Sequence, residues 1–204
     1  MKIVLATKNT HKVEEIKVML SGLPLEIMSL ADFPEIPEVE ETGTTFAENA
    51  SIKASAVSDA TGLVALADDS GLEVDALGGD PGVYSNRFAG TGATDRDKYM
   101  RIVKLLADIP EPKRGARFRA AVAIATPDGD IYVVEGKVEG LIAHEPKGEG
   151  GFGYDPIFYI PQLGKTMAEL EPWEKNLISH RARALEAAKN VLSQLISKEE
   201  APGK

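Results

Sequence analysis

Two adjacent aspartates, Asp68 and Asp69, are the residues of this chain best suited to do chemistry. They follow residues 63–66, an apolar run that predicts a buried strand, and they precede Ser70 and Gly71. Neighbouring carboxylates repel each other, so a fold that holds them together usually supplies a cation or a proton. In α/β folds the ends of strands border the cleft in which ligands bind, whereas Asp, Ser and Gly are also common turn residues. The segment alone therefore leaves a ligand site and a plain turn equally open.

A second group of polar residues fills the turn between the first predicted strand and the helix after it. Backbone N–H groups at the start of a helix bind anions, and Lys12 adds a positive charge there. An ordinary capped turn with a solvated lysine is the plainer explanation. The candidate anion-binding residues of this turn are Thr7, Lys8, Asn9, Thr10, His11 and Lys12.

A third group places acidic residues before a helix. Glu40 and Glu41 precede a capping box that begins at Thr45 and predicts a helix to about residue 61. Asn49 and Lys53 are four residues apart, so they share one face of that helix. Lys53 either stays in water, as surface lysines commonly do, or turns into a cleft.

The fourth group is a glycine-rich loop, residues 150–155, that contains Phe152 and Tyr154. Aromatic side chains on such a loop can stack on a planar base, although many loops are simply pinned by their own aromatics. Lys175, His180 and Arg181 follow later in the chain, and for the last two a basic helix edge is the plainer explanation. Taken together, the four groups supply carboxylates, cations and an aromatic platform, which suits Mg²⁺ and a nucleoside triphosphate.

The composition limits the classes of partner. The 204 residues suit one domain, and a net charge of −9 argues against nucleic-acid polymers and anionic membranes. Cysteine is absent, which removes disulfides, thiolate nucleophiles and cysteine zinc sites. With no signal peptide and no run of about 18 apolar residues, we expect a soluble, cytoplasmic protein. The G-x-G-x-x-G pattern at 148–153 is not a dinucleotide fingerprint, because Pro156 breaks the helix that such a motif opens.

The spacing of apolar residues predicts alternating strands and helices, which is typical of an α/β fold. The predicted strands are residues 3–6, 25–28, 63–66, 72–75, 116–126 and 131–141, of which the last two form a hairpin. The predicted helices are residues 11–20, 46–61, 94–106 and 180–196, with a polar tail over 198–204.

Longer strings of residues resemble one family, the inosine/xanthosine triphosphate pyrophosphatases, which act on non-standard purine nucleotides. The matching strings lie in the right order along nearly the whole chain, and they include ATKN at 6–9, ETG at 41–43, ADDSGLEVDALGG at 67–79, GFGYDPIF at 151–158 and ISHR at 178–181. Lys8 is a departure, because many members have glycine there. The resemblance implies a single domain over 1–204, with an elongated mixed β-sheet, flanking helices and two lobes around a central cleft.

The resemblance also implies hydrolysis of ITP, dITP and XTP to a monophosphate and pyrophosphate by a Mg²⁺-dependent homodimer. Asp69 is then the proton acceptor for the attacking water and a metal ligand. Glu40 is the second metal carboxylate, with Glu41 as its close alternative. The implied substrate-binding residues are the six of the first turn together with Lys53, Ser70, Phe152, Gly153, Tyr154, Asp155, Lys175, His180 and Arg181.

Base selection would come from donors such as Arg181. Hypoxanthine and xanthine present an acceptor at position six, where adenine presents a donor, so a fixed guanidinium favours the first two. Two other functions stay open. One is a Maf-like pyrophosphatase that acts on other nucleotides, and the other is a nucleotide-binding module that releases no pyrophosphate.

Overall fold

The computed structural model describes residues 1–200, and over that range it contains a seven-stranded sheet with the strand order β2-β1-β3-β4-β5-β6-β7. The strands are β1 (Lys2–Leu5), β2 (Glu26–Ser29), β3 (Val64–Val74), β4 (Gly115–Ala125), β5 (Ile131–Ile142), β6 (Phe158–Ile160) and β7 (Lys165–Thr166). The helices are α1 (Thr10–Leu20), α2 (Phe46–Thr61), α3 (Asp95–Leu105), α4 (Pro172–Ile178) and α5 (His180–Glu200). Strand β1 pairs in parallel with β2 and β3, whereas β6 pairs antiparallel with β5 and β7. The sheet is mixed and the α/β prediction is confirmed.

The described residues divide into two compact units. Unit 1 comprises residues 1–69, 120–136 and the described chain from 181 onward, and unit 2 comprises residues 70–119 and 137–180. Strands β3, β4 and β5 each contribute residues to both units.

The core of unit 1 forms where α1 and α5 pack on the sheet. Ala184, Leu185, Ala188 and Leu192 are buried on one face of α5, at the spacing of an amphipathic helix. Arg181 precedes Ala184 by three residues and is buried as well, at 2% exposed. The helical period therefore turns the Arg181 guanidinium toward the interior of unit 1.

The core of unit 2 includes a buried arginine. Arg114 is 1% exposed, and its guanidinium donates to the backbone carbonyls of Leu106, Ile109, Ile142 and Ala143. Leu106 and Ile109 follow α3, whereas Ile142 and Ala143 lie at the end of β5. Arg114 therefore joins the region after α3 to the end of β5.

Several predicted boundaries agree closely with the structure. Strands β1 and β2, the β4–β5 hairpin and α1, α2 and α3 lie within a few residues of their predicted positions, while β6, β7 and α4 were not predicted. The two strands predicted at 63–66 and 72–75 are one strand, β3. Helix α5 continues through Lys198 to Glu200, so the first residues of the predicted tail are helical. The rest of that tail lies outside the described residues. Over residues 1–200, no helix is both long enough and apolar enough to cross a bilayer.

Candidate functional site

The aspartate pair lies within a strand and not at the end of one. Strand β3 continues from Val64 through Asp68 and Asp69 to Val74, so the predicted strand end at residue 66 is wrong. Asp68 and Asp69 are 3% and 4% exposed, and successive side chains of a strand point to opposite faces. The strand can continue because lysine and arginine side chains from other parts of unit 1 form ion pairs with both carboxylates. Strand propensities read along the sequence do not reveal these ion pairs.

Asp68 is fully enclosed by cations. The Arg181 Nε and Nη2 atoms lie 3.3 and 3.2 Å from its two carboxylate oxygens, and Lys12 Nζ lies 2.6 Å from Oδ2. Burial alone would raise the pKa of Asp68, but Arg181 and then Lys12 outweigh it and hold that pKa far below its usual range. Arg181 also donates through Nη1 to Glu15, at 2.6 Å. Asp68 is therefore a buried, permanently charged anchor for Lys12.

Asp69 shares a lysine with Glu41. Lys53 Nζ lies 2.8 Å from Asp69 Oδ1 and 2.8 Å from Glu41 Oε1. Burial raises the pKa of Asp69, against the pull of Lys53. Burial also acts to raise the pKa of the more exposed Glu41, but the attraction of Lys53 outweighs it and holds that pKa below its usual value. Asp69 Oδ2 is buried and has no hydrogen-bond partner among the described residues. One oxygen of Asp69 is thus fixed by Lys53, and the other has unused acceptor capacity.

The two lysines also meet at one backbone oxygen. Lys12 Nζ and Lys53 Nζ donate to the carbonyl of Asp68 at 3.3 and 3.2 Å. Burial would lower the pKa of Lys53, but Asp69 and Glu41 raise it overall; burial, Arg181 and nearby Lys53 lower the pKa of Lys12 despite Asp68. Ammonium groups and carboxylates therefore alternate around residues 68–69.

The turn before α1 is arranged by a cap. Asn9 is the N-cap of α1, where its side chain accepts from the Lys12 backbone N–H at 3.2 Å, and Thr7 Oγ1 accepts from the Asn9 N–H at 3.1 Å. Among the predicted anion-binding residues of this turn, Lys8, Asn9, Thr10 and His11 are exposed. The cap directs α1 so that Lys12 reaches β3.

A second cluster lies in unit 2. Lys175 Nζ is 2.8 Å from Asp155 Oδ2 and 4.6 Å from the centre of the Phe152 ring, over which it forms a cation–π contact. Asp155 also accepts from the Phe152 N–H at 3.0 Å. Asp155 and Lys175 are buried, while the Phe152 side chain is partly exposed. The ion pair therefore fixes the loop from which Phe152 projects.

Tyr154 and His180 belong to the packed interior of unit 2. The Tyr154 hydroxyl donates to the carbonyl of Ser85 at 2.7 Å, and burial raises the pKa of this tyrosine. The His180 ring stacks on Phe118, with centroids 4.7 Å apart. The Gly153 N–H donates to Asp95 at 2.8 Å, which ties the loop to the first residue of α3. These contacts hold the Phe152 loop in place.

Of the predicted site residues, Lys12, Lys53, Asp69 and Arg181 meet in unit 1. Glu41 joins this cluster through Lys53, whereas Glu40 is exposed. Arg181 was expected to read the base, yet in unit 1 its donors contact Asp68 and Glu15. Glu15 was not predicted as a site residue, although its position three residues after Lys12 on α1 places both on one helix face. Between residues 1 and 200, no three or more His, Cys, Asp and Glu side chains gather as a ready-made metal cage.

The fold and the charged cluster define an α/β protein whose acidic and basic groups meet on an internal strand of the sheet. The chain belongs to the Ham1 family, whose model matches residues 3–191. It is 52% identical to the dITP/XTP pyrophosphatase of Desulforamulus reducens over 96% of this chain and 97% of that protein. It is 53% identical to the dITP/XTP pyrophosphatase of Geobacillus kaustophilus, with 90% of each chain covered.

Solved structures agree in fold. A HAM1 protein from Coxiella burnetii superimposes with a TM-score of 0.87 at 44% identity, over 95% of this chain and 99% of that one. A nucleoside-triphosphatase, or dITP/XTP pyrophosphatase, from Mycobacterium abscessus gives a TM-score of 0.76 at 47% identity, over 92% of this chain and 98% of that one. At these identities and coverages the likeness extends over most of the chain.

Proposed function

We propose that this protein hydrolyses the purine nucleoside triphosphates ITP, dITP and XTP to the monophosphate and pyrophosphate. The relatives at about half identity are dITP/XTP pyrophosphatases, and they match this chain over nearly its whole length. Removal of such nucleotides cleanses the nucleotide pool. The proposal also requires a base that can activate water, and the buried carboxylate Asp69 of unit 1 is our candidate for it.

The observation that carries the proposal is the state of Asp69. Its carboxyl is buried, its pKa is raised, and Oδ1 is held by Lys53 while Oδ2 lacks a hydrogen-bond partner among residues 1–200. A buried polar atom without a partner is costly, so it commonly marks a functional position. A raised pKa also makes a carboxylate a stronger proton acceptor near neutral pH.

The residues around Asp69 fit a magnesium ion. Asp69 and Glu41 would hold it through carboxylate oxygens, and Mg²⁺ is commonly bound by one or two carboxylates, water and substrate phosphates. Glu41 suits this role better than Glu40, because Glu41 shares Lys53 with Asp69 whereas Glu40 is exposed. When bound, the ion supplies positive charge that balances the phosphate oxygens.

The reaction follows from the placement of these groups. A water attacks the α-phosphorus, Asp69 accepts its proton, and the bond from the α-phosphorus to the bridging oxygen breaks to release pyrophosphate. Lys53 orients the Asp69 carboxylate, so the acceptor oxygen needs little rearrangement. The ammonium groups of Lys12 and Lys53 stabilise the negative charge that develops on phosphate oxygens.

The family resemblance implies that Phe152, in unit 2, stacks on the base. Phe152 is partly exposed and is fixed by Asp155 and Lys175, so its ring can stack on a purine without first becoming ordered. Stacking does not distinguish purines from each other, so selectivity for ITP over ATP needs donors to the six-keto oxygen. The homodimer and the cytoplasmic location stay predictions from the sequence.

A substrate panel tests the proposal. Pyrophosphate release is measured from ITP, XTP, dITP, GTP, ATP, dTTP and UTP, each with and without Mg²⁺. We expect release from the first three only, and only with Mg²⁺. A preference for dTTP or UTP indicates the Maf-like alternative, and ITP binding by calorimetry without pyrophosphate release indicates a binding module.

A further inference from the structure

Asn49 on α2 is buried but lies outside the charged cluster. It is 0% exposed, and its side-chain oxygen accepts the backbone N–H of Gly43 at 2.8 Å. Its Nδ2 group is buried and has no hydrogen-bond partner in the part of the chain that the structure describes. A leucine of similar size would avoid the free-energy cost of burying an unpaired amide group, but it would lose the acceptor for the Gly43 N–H. The hydrogen bond to the loop therefore explains why an amide side chain occupies this buried position.

The loop that Asn49 holds carries Glu41. Gly43 lies two residues after Glu41, and Lys53, one helical turn after Asn49, forms the ion pair with Glu41 at 2.8 Å. The next two N–H groups of the loop, those of Thr44 and Thr45, are accepted by Glu48. Side chains of α2 therefore fix the loop backbone and the Glu41 carboxylate together.

Gly43 fits this contact only because it has no side chain. A Cβ at Gly43 would lie 2.7 Å from Glu48 Cβ, 2.8 Å from Asn49 Oδ1 and 3.0 Å from the Asn49 backbone nitrogen. Two of these atoms belong to the helix backbone or lie next to it, so the loop would have to move away. The close approach of loop and helix thus depends on the Asn49 side chain in the helix and on the missing side chain of Gly43 in the loop.

We propose that Asn49 is a positioning residue of the reaction, which acts through Gly43 to hold Glu41 beside Lys53 and Asp69. The inference rests on the proposed function for its kinetic consequence. The Asn49 side chain accepts from the Gly43 backbone, and its Nδ2 group forms no hydrogen bond to a carboxylate among residues 1–200. Without this contact the loop is free to carry Glu41 away from Lys53, and the charge balance around Asp69 changes.

The test is a double-mutant cycle with Glu41. Asn49→Leu lowers kcat/KM for ITP by about tenfold to a hundredfold in the wild-type background, as is typical of residues coupled in one network. In the Glu41→Gln background the same substitution lowers it by less than about twofold, because the group that it positions is already lost. Gly43→Ala reproduces the loss and does not add to Asn49→Leu.

Ser58→Ala is the matched control, since Ser58 is a buried polar residue at the other end of α2 whose hydroxyl donates to Leu63. It lowers the urea midpoint without changing the coupling to Glu41. Equal losses from Asn49→Leu in both backgrounds, or losses that follow the urea midpoint, overturn the inference.

Amide hydrogen exchange provides a readout that needs no activity. The Gly43 amide exchanges at least about tenfold faster in Asn49→Leu than in wild type, while the amides of α1 are unchanged. Unchanged exchange at Gly43 overturns the inference even if the enzyme is active. If the wild-type protein releases no pyrophosphate, and Asn49→Leu still speeds exchange at Gly43, the proposed function is contradicted but the contact between Asn49 and the loop is not.

Discussion

Arg181→Met is the substitution that best tests the charged interior of unit 1. Methionine fills much of the arginine volume but removes the guanidinium donors to Asp68 and Glu15. The Asp68 side chain is completely inaccessible to solvent and that of Arg181 is 2% exposed, so water cannot replace the lost partner without rearrangement. Lys12, at 2.6 Å, remains as the other cation beside Asp68.

The magnitude follows from this geometry. Breaking a buried ion pair by removing one partner costs about 3–5 kcal/mol, and the remaining Lys12 places the expected loss near the lower end, at about 3 kcal/mol. For a chain of this length, such a loss lowers Tm by about 6–12 °C. Arg117→Met is the control, because Arg117 forms ion pairs with Asp75 and Glu139 that are partly exposed, and we expect a loss below about 1 kcal/mol.

Urea denaturation at pH 7 measures both variants. The reasoning is refuted if Arg181→Met loses no more stability than Arg117→Met. A KM for ITP that rises at least tenfold with an unchanged urea midpoint would instead support the base-reading role that the family resemblance implies for Arg181. A large loss of stability with a KM close to that of wild type supports the structural role.

Four further predictions concern single groups. Asp69→Asn lowers kcat by about 10²–10⁴-fold in the pyrophosphate assay, because the amide cannot accept the proton from water. Phe152→Ala raises the KM for ITP about tenfold through loss of stacking. Arg114→Met lowers the free energy of unfolding in urea by at least about 3 kcal/mol, because the hydrogen bonds from the buried guanidinium to four carbonyls are lost. The free energy of unfolding falls below about pH 4, because the depressed pKa of Asp68 makes the unfolded chain bind its proton first.

Each of these predictions has a clear contrary result. Asp69→Asn with near-wild-type turnover removes Asp69 as the proton acceptor, and Phe152→Ala with an unchanged KM removes the stacking platform. An Arg114→Met protein as stable as wild type shows that the carbonyls find other donors. Arg181→Met should flatten the fall in the free energy of unfolding at low pH, since the pKa of Asp68 then lies closer to its value in the unfolded chain. If the fall is equally steep in this variant, the loss of stability in acid comes from other carboxylates.

The element boundaries were predictable where a local signal defines them. Thr45 and Glu48 form the predicted capping box of α2, and Gly62 ends the helix in the left-handed region with a φ of 66°. Such caps act within a few residues, so they are visible in the sequence. Helix α4 and the short strands β6 and β7 have too few residues to produce a hydrophobic period, which explains why they were not predicted.

The candidate site was only partly predictable. The chemical types were visible in the sequence, as carboxylates, lysines and aromatics, but their partners were not. Glu40 and Glu41 are neighbouring residues of the same type, so the sequence does not show which one joins the cluster. The ion pair between Lys53 and Glu41 in the structure distinguishes them. Arg181 and His180 are adjacent in the chain, yet the first side chain belongs to the charged cluster of unit 1 and the second stacks on Phe118 in unit 2.

The amino-acid sequence by itself determined the α/β order of elements, the helix caps and the inventory of ionisable groups, because each of these depends on neighbours a few positions away. Only the tertiary structure decided that Asp68 and Asp69 lie inside a continuous strand. Asp68 can be buried there because Lys12 and Arg181, 56 and 113 positions away, provide compensating charge at hydrogen-bonding distance. Lys53 does the same for Asp69. Charge compensation depends on distance in space, and no local pattern of residues encodes that distance.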